Sequence, residues 1–448
     1  METLKIGKRS FSFQRAAHYH INGGIMLMGV VLLAMLVANS PLSEAYTNFW
    51  NKEVYLQVGD FNLFSHNGHP MTLMAFINDV LMTIFFFSVG LEIKREILVG
   101  ELSSIRQALL PIIAACGGMI VPVILYYFMT AGTNAEGGLA IPMATDIAFS
   151  LGVLSLFGKR VPISLKIFLT AFAVVDDIGG ILVIALFYSS HIDYACLLYA
   201  LIAFIVLCGA NRLYIHNRWF YISIGFIVWY CFLQSGIHAT IAGVLVAFTI
   251  PATPHLHTGK YINYIKNNIE EFPANNNKKD NLILSKEQIN ALKCIESASD
   301  HVISPLQSLE DDLHALVNYI VIPLFAFANA GIVLLPQYGG QPEIGMLTWA
   351  VAISLVAGKF IGIYLFTWLA IKCRLSSMVN GMTWTNLSGI CLLGGIGFTV
   401  SLFISNLSFG DNLLLLNHAK LGVLLGTAIA GVLGYIVLSL TLPKHKAN

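Results

Sequence analysis

Stretches of about 20 mostly apolar residues recur along the whole chain, and each is long enough to cross a bilayer as a helix. Only 11% of the 448 residues are charged, against about 25% in soluble domains, so the chain cannot surround these stretches with a soluble surface. We therefore predict an all-α polytopic membrane protein with one transmembrane domain over residues 1–448. The runs at 219–234 and 236–251 are short and nearly continuous, which leaves the division between them open. Twelve candidate spans are centred near residues 21–40, 72–91, 107–129, 139–157, 164–189, 194–210, 219–234, 236–251, 315–335, 346–370, 386–406 and 417–440.

Basic residues are distributed unevenly between the two sides of the membrane that these spans define. When the N-terminus is placed in the cytoplasm, 21 of the 25 Lys and Arg residues fall in cytoplasmic segments, and only Lys52 and Lys420 fall outside. Because cytoplasmic loops carry the excess of Lys and Arg, we predict that both termini are cytoplasmic. The formal net charge of +1 provides no basic field, so we do not expect nucleic acid as a partner.

Two segments between the spans have a distinctive composition. Residues 252–314 are polar and rich in Asn and Lys, and we predict a long cytoplasmic loop that contains some helix. Residues 50–65 alternate apolar and polar positions on both sides of Gly59 and Asp60, a pattern typical of a small extramembrane β-hairpin. Since the exposed edge of a hairpin can pair with another copy, this segment is a candidate homodimer contact.

Four acids and one base lie well inside predicted spans: Asp79, Asp146, Asp176, Asp177 and Lys359. A charge at this depth costs at least about 2.5–3.5 kcal/mol, so each is a candidate functional residue. Adjacent helical residues point about 100° apart, and Asp176 and Asp177 can therefore border one cavity. Close carboxylates do not readily ionise together, and this behaviour suits a site that exchanges protons for a small hard cation. The alternative is a structural pair bonded to neighbouring backbone.

Two spans carry signs of an interruption. Pro142 removes a backbone donor close to Thr145 and Asp146, so we predict a broken helix there. A broken span exposes carbonyl and amide groups that can hold ions where protein or water covers them. Paired interruptions indicate a transporter site between inverted repeats. The second span is interrupted by the glycines Gly394, Gly395 and Gly397.

The remaining ionisable candidates each have a functional and a structural interpretation. Lys359 either neutralises a carboxylate when no cation is bound or forms a structural salt bridge to an aspartate, and the two roles are compatible. His238 lies near a predicted end of a span, where a single histidine is more often structural than a sensor. Glu92 and Glu96 lie one helical turn apart. They form either an interfacial charge cluster or the proton-sensitive rim of a cytoplasmic funnel.

Several sequence stretches together resemble the NhaA-type sodium/proton antiporters of bacteria. They extend from about residue 20 to about residue 440 and include the TDIAF, DDIG and PLFAFANAG motifs in this order. The resemblance implies about twelve transmembrane helices with inverted repeats, two of them broken and crossing near mid-membrane, in the bacterial inner membrane. The stretches are IND ending at Asp79, FFFSVGLEIKRE, IPMATDIAFSLGVL, VVDDIGGILVIALFY, SGIHATIAG, IPLFAFANAG and GGIGFTVSLFISNL.

The resemblance also implies roles for individual residues. The cation and proton site would comprise Asp176 and Asp177, which would hold Na+, with Thr145 and Asp146 nearby, and Lys359 would compensate their charge. The hairpin at 50–65 would form the dimer. This chain departs from the family in the run LEDDLH, after Glu310, and in the length of the 252–314 segment. The proposed pH-responsive cluster would comprise Glu92, Glu96, His238, Glu310 and His314.

The expected function is electrogenic export of cytoplasmic Na+ or Li+ in exchange for external protons. The cation and the protons would compete for the aspartates, and the site would face the two sides of the membrane alternately. The resemblance implies two protons per Na+ and no cofactor. The protein would be a secondary transporter rather than an enzyme. One alternative is an intramembrane aspartyl protease that uses Asp146 and Asp176, although the GxGD motif typical of those enzymes does not occur in the sequence. The other is a passive ion channel.

Overall fold

Helices make up most of the structure, because a backbone surrounded by lipid must satisfy its own N–H and C=O groups. The computed structural model describes residues 23–58, 61–66, 69–189, 192–253, 258–270, 286–334, 345–379 and 381–442. In chain order the α-helices are α1 (Gly23–Ala38), α2 (Ser43–Trp50), α3 (Leu73–Phe76), α4 (Met82–Leu98), α5 (Ile105–Thr130), α6 (Ile147–Ser155), α7 (Ile163–Phe187), α8 (Tyr194–Arg212), α9 (Arg218–Ser235), α10 (Ala239–Thr249), α11 (Thr258–Glu270), α12 (Lys286–Val302), α13 (Pro305–Leu316), α14 (Ile322–Asn329), α15 (Met346–Ile353), α16 (Lys359–Lys372), α17 (Trp384–Leu393), α18 (Phe398–Phe409) and α19 (Leu413–Thr441).

Judged by length and composition, fewer segments of the structure qualify as membrane spans than the twelve that the sequence predicts. Within the described residues, eight helical segments are long and apolar enough to cross a membrane, and two bent pairs would raise the number to ten. Helices α9 and α10 lie at two further predicted spans, but α10 has only 11 residues. Twelve spans and inverted repeats therefore stay predictions. The eight are Leu73–Leu98, Ile105–Thr130, Glu136–Ser155, Ile163–Phe187, Tyr194–Arg212, Pro305–Asn329, Met346–Lys372 and Leu413–Thr441.

Three of these spans contain one π-helical turn, at Ile77–Leu81, Val317–Val321 and Ser354–Gly358. A π turn adds one residue to the helix and changes the direction of the side chains beside it, often at functional positions. Asp79 lies inside the first of these turns, and Lys359 follows the third directly.

The segment that contains the predicted hairpin forms two very short antiparallel ladders. Strand β1 (Gln57–Val58) pairs with β2 (Phe61–Asn62), and β3 (Ser65–His66) pairs with β4 (His69–Pro70). The predicted turn residues 59 and 60 lie outside the described residues. The Gln234 side chain of α9 donates to the carbonyl of Ser65 at 2.7 Å, and this bond fixes the ladders to one end of the helices.

The polar segment at 252–314 is more helical than the sequence indicated. It contains α11, α12 and all but the last two residues of α13, and the span that the sequence predicts at 315–335 begins at Pro305. The early start has a local cause. Ser304 is an N-cap whose hydroxyl accepts from the amide of Gln307 at 3.2 Å, and Pro305 occupies the first helical position. Glu310 therefore lies in a helical run that is long and apolar enough to cross a membrane, not in a loop.

A close crossing of two helices fixes the position of Lys359. Helices α5 and α16 meet at Gly117 and Gly362, where a Cβ added to either glycine would collide with the backbone of the other. Small residues allow such backbone contact between membrane helices. Gly362 lies three residues after Lys359, so the crossing determines the level at which the lysine enters the protein interior.

Candidate functional site

The two interrupted spans meet at their breaks. One interruption lies between the 3-10 turn at Ile141–Met143 and α6, and the other separates α17 from α18, whose axes differ by 42°. The amide of Asp146 donates to the carbonyl of Ile396 at 2.6 Å. The Thr145 hydroxyl donates to the carbonyl of Gly394 at 2.8 Å. Main-chain groups that each break leaves without a helical partner are thus satisfied by the other span.

Asp146 joins the N-termini of two helices. It is the N-cap of α6, where Oδ1 accepts from the amide of Phe149 at 2.9 Å. Its other oxygen, Oδ2, accepts from the amide and the hydroxyl of Thr399, in the first turn of α18, at 3.1 and 2.8 Å. A carboxylate is favoured at a helix N-terminus because unpaired amides and the helix dipole are positive there.

Asp176 and Lys359 form an ion pair that is closed off from solvent. The distance from Nζ to Oδ2 is 2.6 Å, and both side chains are 0% exposed. Nζ also donates to the hydroxyl of Thr145 at 3.1 Å. The second carboxylate oxygen of Asp176, Oδ1, is buried and has no hydrogen-bond partner among the described residues. The structure therefore identifies the aspartate that pairs with Lys359, which the sequence left open.

Asp177 lies beside this pair and faces a cavity of about 270 Å³. Asp177 forms no ion pair within the part of the chain that the structure describes. Thr145, Asp146 and Thr399 also line the cavity. The cavity thus brings together the Asp177 carboxylate and the residues at which the two interrupted spans cross.

The same cavity extends to a cluster of charged residues. Glu92, Arg95, Glu310 and His314 line it together with Ile322. Glu310 and Ile322 belong to one continuous span and are twelve residues apart, or about 18 Å at 1.5 Å per residue. The cavity therefore runs along this span, and we call its charged end the mouth.

Arg95 connects the acids at the mouth. Its guanidinium contacts Glu96 at 3.0 Å and Glu310 at 3.1 Å. Glu96 also accepts from the amide of Glu101 at 3.2 Å. Glu96 thus lies next to the cavity lining without being part of it. The described structure brings four of the five residues of the expected pH-responsive cluster to the mouth or beside it.

His238 lies elsewhere. It directly precedes α10, whose opposite end is held by the Lys94 side chain, which donates to the carbonyls of Phe248 at 2.7 Å and Ile250 at 2.5 Å. Lys94 is close to the mouth in sequence, so His238 and the mouth are at opposite ends of α10. Asp79 is also absent from the cavity lining and lies inside its π turn.

Comparison with known proteins identifies the family to which this chain belongs. The sequence model of the family described as Na+/H+ antiporter 1 matches residues 14–438. The chain belongs to this family. A Na+/H+ antiporter NhaA from Phocaeicola vulgatus is 70% identical over 448 residues, which is 100% of both chains. Proteins of the same name from Bacteroides fragilis and Parabacteroides distasonis are 59% and 49% identical, over 95% and 98% of this chain and 97% of each relative.

Membership in the Na+/H+ antiporter 1 family confirms the family that the sequence motifs indicated, and it identifies the chain as a multi-pass membrane transporter. Neither Thr399 nor Arg95 is predicted as a site residue from the sequence. Thr399 is a polar residue two positions after Gly397 in an apolar run, which was a usable signal. Arg95 was counted only as a basic residue that marks the cytoplasmic side.

The position of Lys420 in the structure differs from its predicted position. The sequence predicts this lysine on the external side, near the edge of a span. In the structure it lies in the eighth position of α19 and is only 7% exposed. The predicted depth was wrong because α19 begins at Leu413, four residues before the predicted span, so the lysine lies two turns inside the helix. The side of the membrane stays a prediction.

Proposed function

We propose that this protein is an electrogenic antiporter of the bacterial inner membrane that exports cytoplasmic Na+ or Li+ in exchange for external protons. Its role would be pH and sodium homeostasis. The observation that carries the proposal is the position of Asp177, a buried carboxylate that lines the cavity next to a second aspartate already paired with Lys359. Carboxylate oxygens are the ligands that small hard cations prefer.

Competition for the same oxygens couples the two ions. A cation binds well only to a deprotonated carboxylate, so Asp177 holds either a proton or the cation. The unpartnered Oδ1 of Asp176 supplies a second carboxylate oxygen. A cation there competes with Lys359 for the charge of Asp176, so the ion pair exists only in the cation-free state. We propose two protons per Na+, as the family resemblance implies, and each cycle then moves one net charge.

Asp146 and Thr145 have a different part in this proposal. Both oxygens of Asp146 already accept hydrogen bonds from the first turns of α6 and α18. Asp146 therefore balances the two helix N-termini and holds the crossing together. Thr145 connects the crossing to the ion pair, because its hydroxyl accepts from Lys359 and donates to Gly394.

The mouth gives access to the site from the side that the distribution of basic residues predicts to be cytoplasmic. Changes of charge among Glu92, Glu96, Glu310 and His314 would alter the field along the cavity and the contacts of Arg95. We propose that these residues set the pH response. His238 has no role at the mouth in this proposal, because it lies at the other end of α10.

We also propose that residues 50–65, which include the β1–β2 ladder, contribute to a homodimer. They lie outside the spans, and Tyr55 and Leu56 beside β1 are 58% and 52% exposed. An exposed edge with large apolar side chains is suited to pairing with a second copy.

The site assignment is tested by Asp177→Asn in everted membrane vesicles with a pH-sensitive dye. We expect Na+-dependent proton movement to fall to the level of vesicles without the protein, because the amide cannot exchange a proton for a cation. The matched control is Asp411→Asn, an exposed aspartate between α18 and α19, which should retain wild-type exchange.

Two outcomes would contradict the proposal. Wild-type exchange in Asp177→Asn would show that the carboxylate is not the coupling group. Na+ movement without any proton movement in the wild-type protein would identify a passive channel. Scanning Na+, Li+ and K+ in the same vesicles gives the cation preference.

A further inference from the structure

A second polar network lies inside the membrane region, apart from the aspartates. The Asn329 side chain is at its centre: its Nδ2 donates to Asn78 Oδ1 at 2.9 Å, and its Oδ1 accepts from Asn406 Nδ2 at 2.7 Å. The same Oδ1 accepts from Lys420 Nζ at 3.3 Å. Four separate elements therefore meet at one carboxamide. We call Asn78, Asn329, Asn406 and Lys420 the asparagine network.

The network continues the lining of the cavity in the direction away from the mouth. Ile322 lines the cavity, and Asn329 is seven residues further along α14. Thr399 lines it as well, and Asn406 is seven residues further along α18. Seven residues are almost two helical turns, so each asparagine is on nearly the same face as the lining residue and about 10 Å beyond it.

An apolar layer separates the network from the site. Phe403 lies between Thr399 and Asn406 on α18, and its ring is 5.7 Å from that of Phe86 on α4. The two side chains are 0% and 2% exposed. A route from the site away from the mouth, along α14 and α18, would pass this pair and then the asparagine network.

Lys420 is an uncompensated charge on this route. No carboxylate lies within 4 Å of its Nζ among the described residues, and its hydrogen bond to Asn329 is with a neutral group. Asp79, the acid adjacent to Asn78, does not pair with it. A buried charge without a counterion is costly and is retained where it serves a function. An ammonium placed on a route for cations repels them, and the low dielectric of the interior strengthens this repulsion.

We propose that the asparagine network is the second gate of the ion path and that Lys420 prevents Na+ from crossing it without protons. The inference rests on the proposed antiport. In the conformation described here, the carboxamides hold the gate closed. Opening towards the other side separates Asn406 from Asn329 as α18 moves, and water then screens the lysine.

The test uses the purified full-length protein in proteoliposomes, with radioactive Na+ and a pH-sensitive dye followed in the same vesicles. The measured quantity is the Na+ efflux that is not accompanied by protons. We expect Lys420→Met to increase it at least tenfold over the wild type. Lys420→Arg, which keeps the charge, should stay at the wild-type value. Thr427→Val is the matched control, because Thr427 is buried on α19 two turns beyond Lys420 and its hydroxyl has no partner within the described chain.

Each result decides the inference. Wild-type coupling in Lys420→Met overturns the gate, and an equal leak in Lys420→Arg overturns the role of the charge. If Lys420→Met is not recovered as a monodisperse protein, Lys420→Gln replaces it with the same criterion, since it keeps a hydrogen-bond donor without the charge. Absence of coupled exchange in the wild type would instead refute the proposed antiport, independently of Lys420.

Discussion

Two buried lysines in this protein have opposite electrostatic surroundings. The ammonium of Lys359 lies 2.6 Å from the carboxylate of Asp176 and 3.1 Å from the hydroxyl of Thr145. The ammonium of Lys420 has one hydrogen bond of 3.3 Å, to the neutral carboxamide of Asn329. The first charge is neutralised by a group that also belongs to the proposed cation site. The charge of Lys420 is not neutralised, so it attracts or repels any ion that approaches it.

A buried charge with a counterion and a buried charge without one affect the stability of the folded protein differently. A buried ion pair adds little net stability, but removal of one partner leaves the other charge exposed to a low dielectric. The cost of an unpaired lysine is present in the folded protein from the start, so removing that lysine does not create a new unpaired charge. Stability measurements can therefore distinguish the two lysines without any transport assay.

The largest expected effect is on the stability of the Lys359 region. Lys359→Met should lower the free energy of unfolding by about 3–5 kcal/mol, because it leaves the Asp176 carboxylate buried and unpaired. Lys420→Met should instead raise the free energy of unfolding, because it removes a buried charge without a counterion, and the hydrogen bond lost with it contributes only about 1 kcal/mol. Unfolding by a denaturing detergent in mixed micelles measures both.

The double variant Lys359→Met with Asp176→Asn is the control for this comparison. It removes both charges and should recover most of the lost stability. Equal losses in the two single lysine variants would mean that Lys420 has a counterion after all, and the comparison would then fail.

An intermediate effect is expected at the crossing of the interrupted spans. Thr399→Val removes a hydroxyl that donates to the Asp146 carboxylate at 2.8 Å. Hydrogen bonds to charged groups contribute about 1.5–3 kcal/mol, so we expect a loss of about 2 kcal/mol in the same unfolding assay. Thr399→Ser retains the hydroxyl and should remain close to the wild type. A full loss in the serine variant would point to the methyl group rather than to the carboxylate.

The smallest effect is expected for an ion pair outside the buried region. Arg218 contacts Asp312 at 2.7 Å, but the side chains are 40% and 64% exposed. Exposed pairs contribute about 0.2–1 kcal/mol, and Asp312→Asn should therefore reduce stability by less than about 1 kcal/mol. If Asp312→Asn lowered the free energy of unfolding as much as Lys359→Met, burial would not determine how much an ion pair contributes to stability.

Charge in an apolar run was the strongest signal in the sequence. Asp146, Asp176, Asp177 and Lys359 could be selected because a charge in a membrane span is costly, and all four lie at the crossing or the cavity. The family was also recognisable from its motifs. The partner of Lys359 could not be predicted, because it depends on the rotation of α7 and on how deeply the Gly117–Gly362 contact brings α16 against α5.

The asparagine network was not predictable from the sequence for two reasons. Asn78, Asn329 and Asn406 are uncharged, so their cost inside a membrane is small enough to pass unnoticed in an apolar run. Lys420 is predicted near the edge of a span, but α19 begins four residues earlier than predicted, which places the lysine deeper in the helix. A shift of one helical turn at a boundary is enough to move a lysine from the surface to the interior.

The bond from the amide of Asp146 to the carbonyl of Ile396 joins the two interrupted spans through main-chain atoms alone. Ordinary amino-acid replacements leave these atoms in place, so this part of the crossing is protected from point mutation in a way that its side-chain contacts are not. Only proline at position 146, which has no amide hydrogen, would remove the donor. Natural variation can therefore alter the chemistry of the crossing while its backbone connection is inherited unchanged.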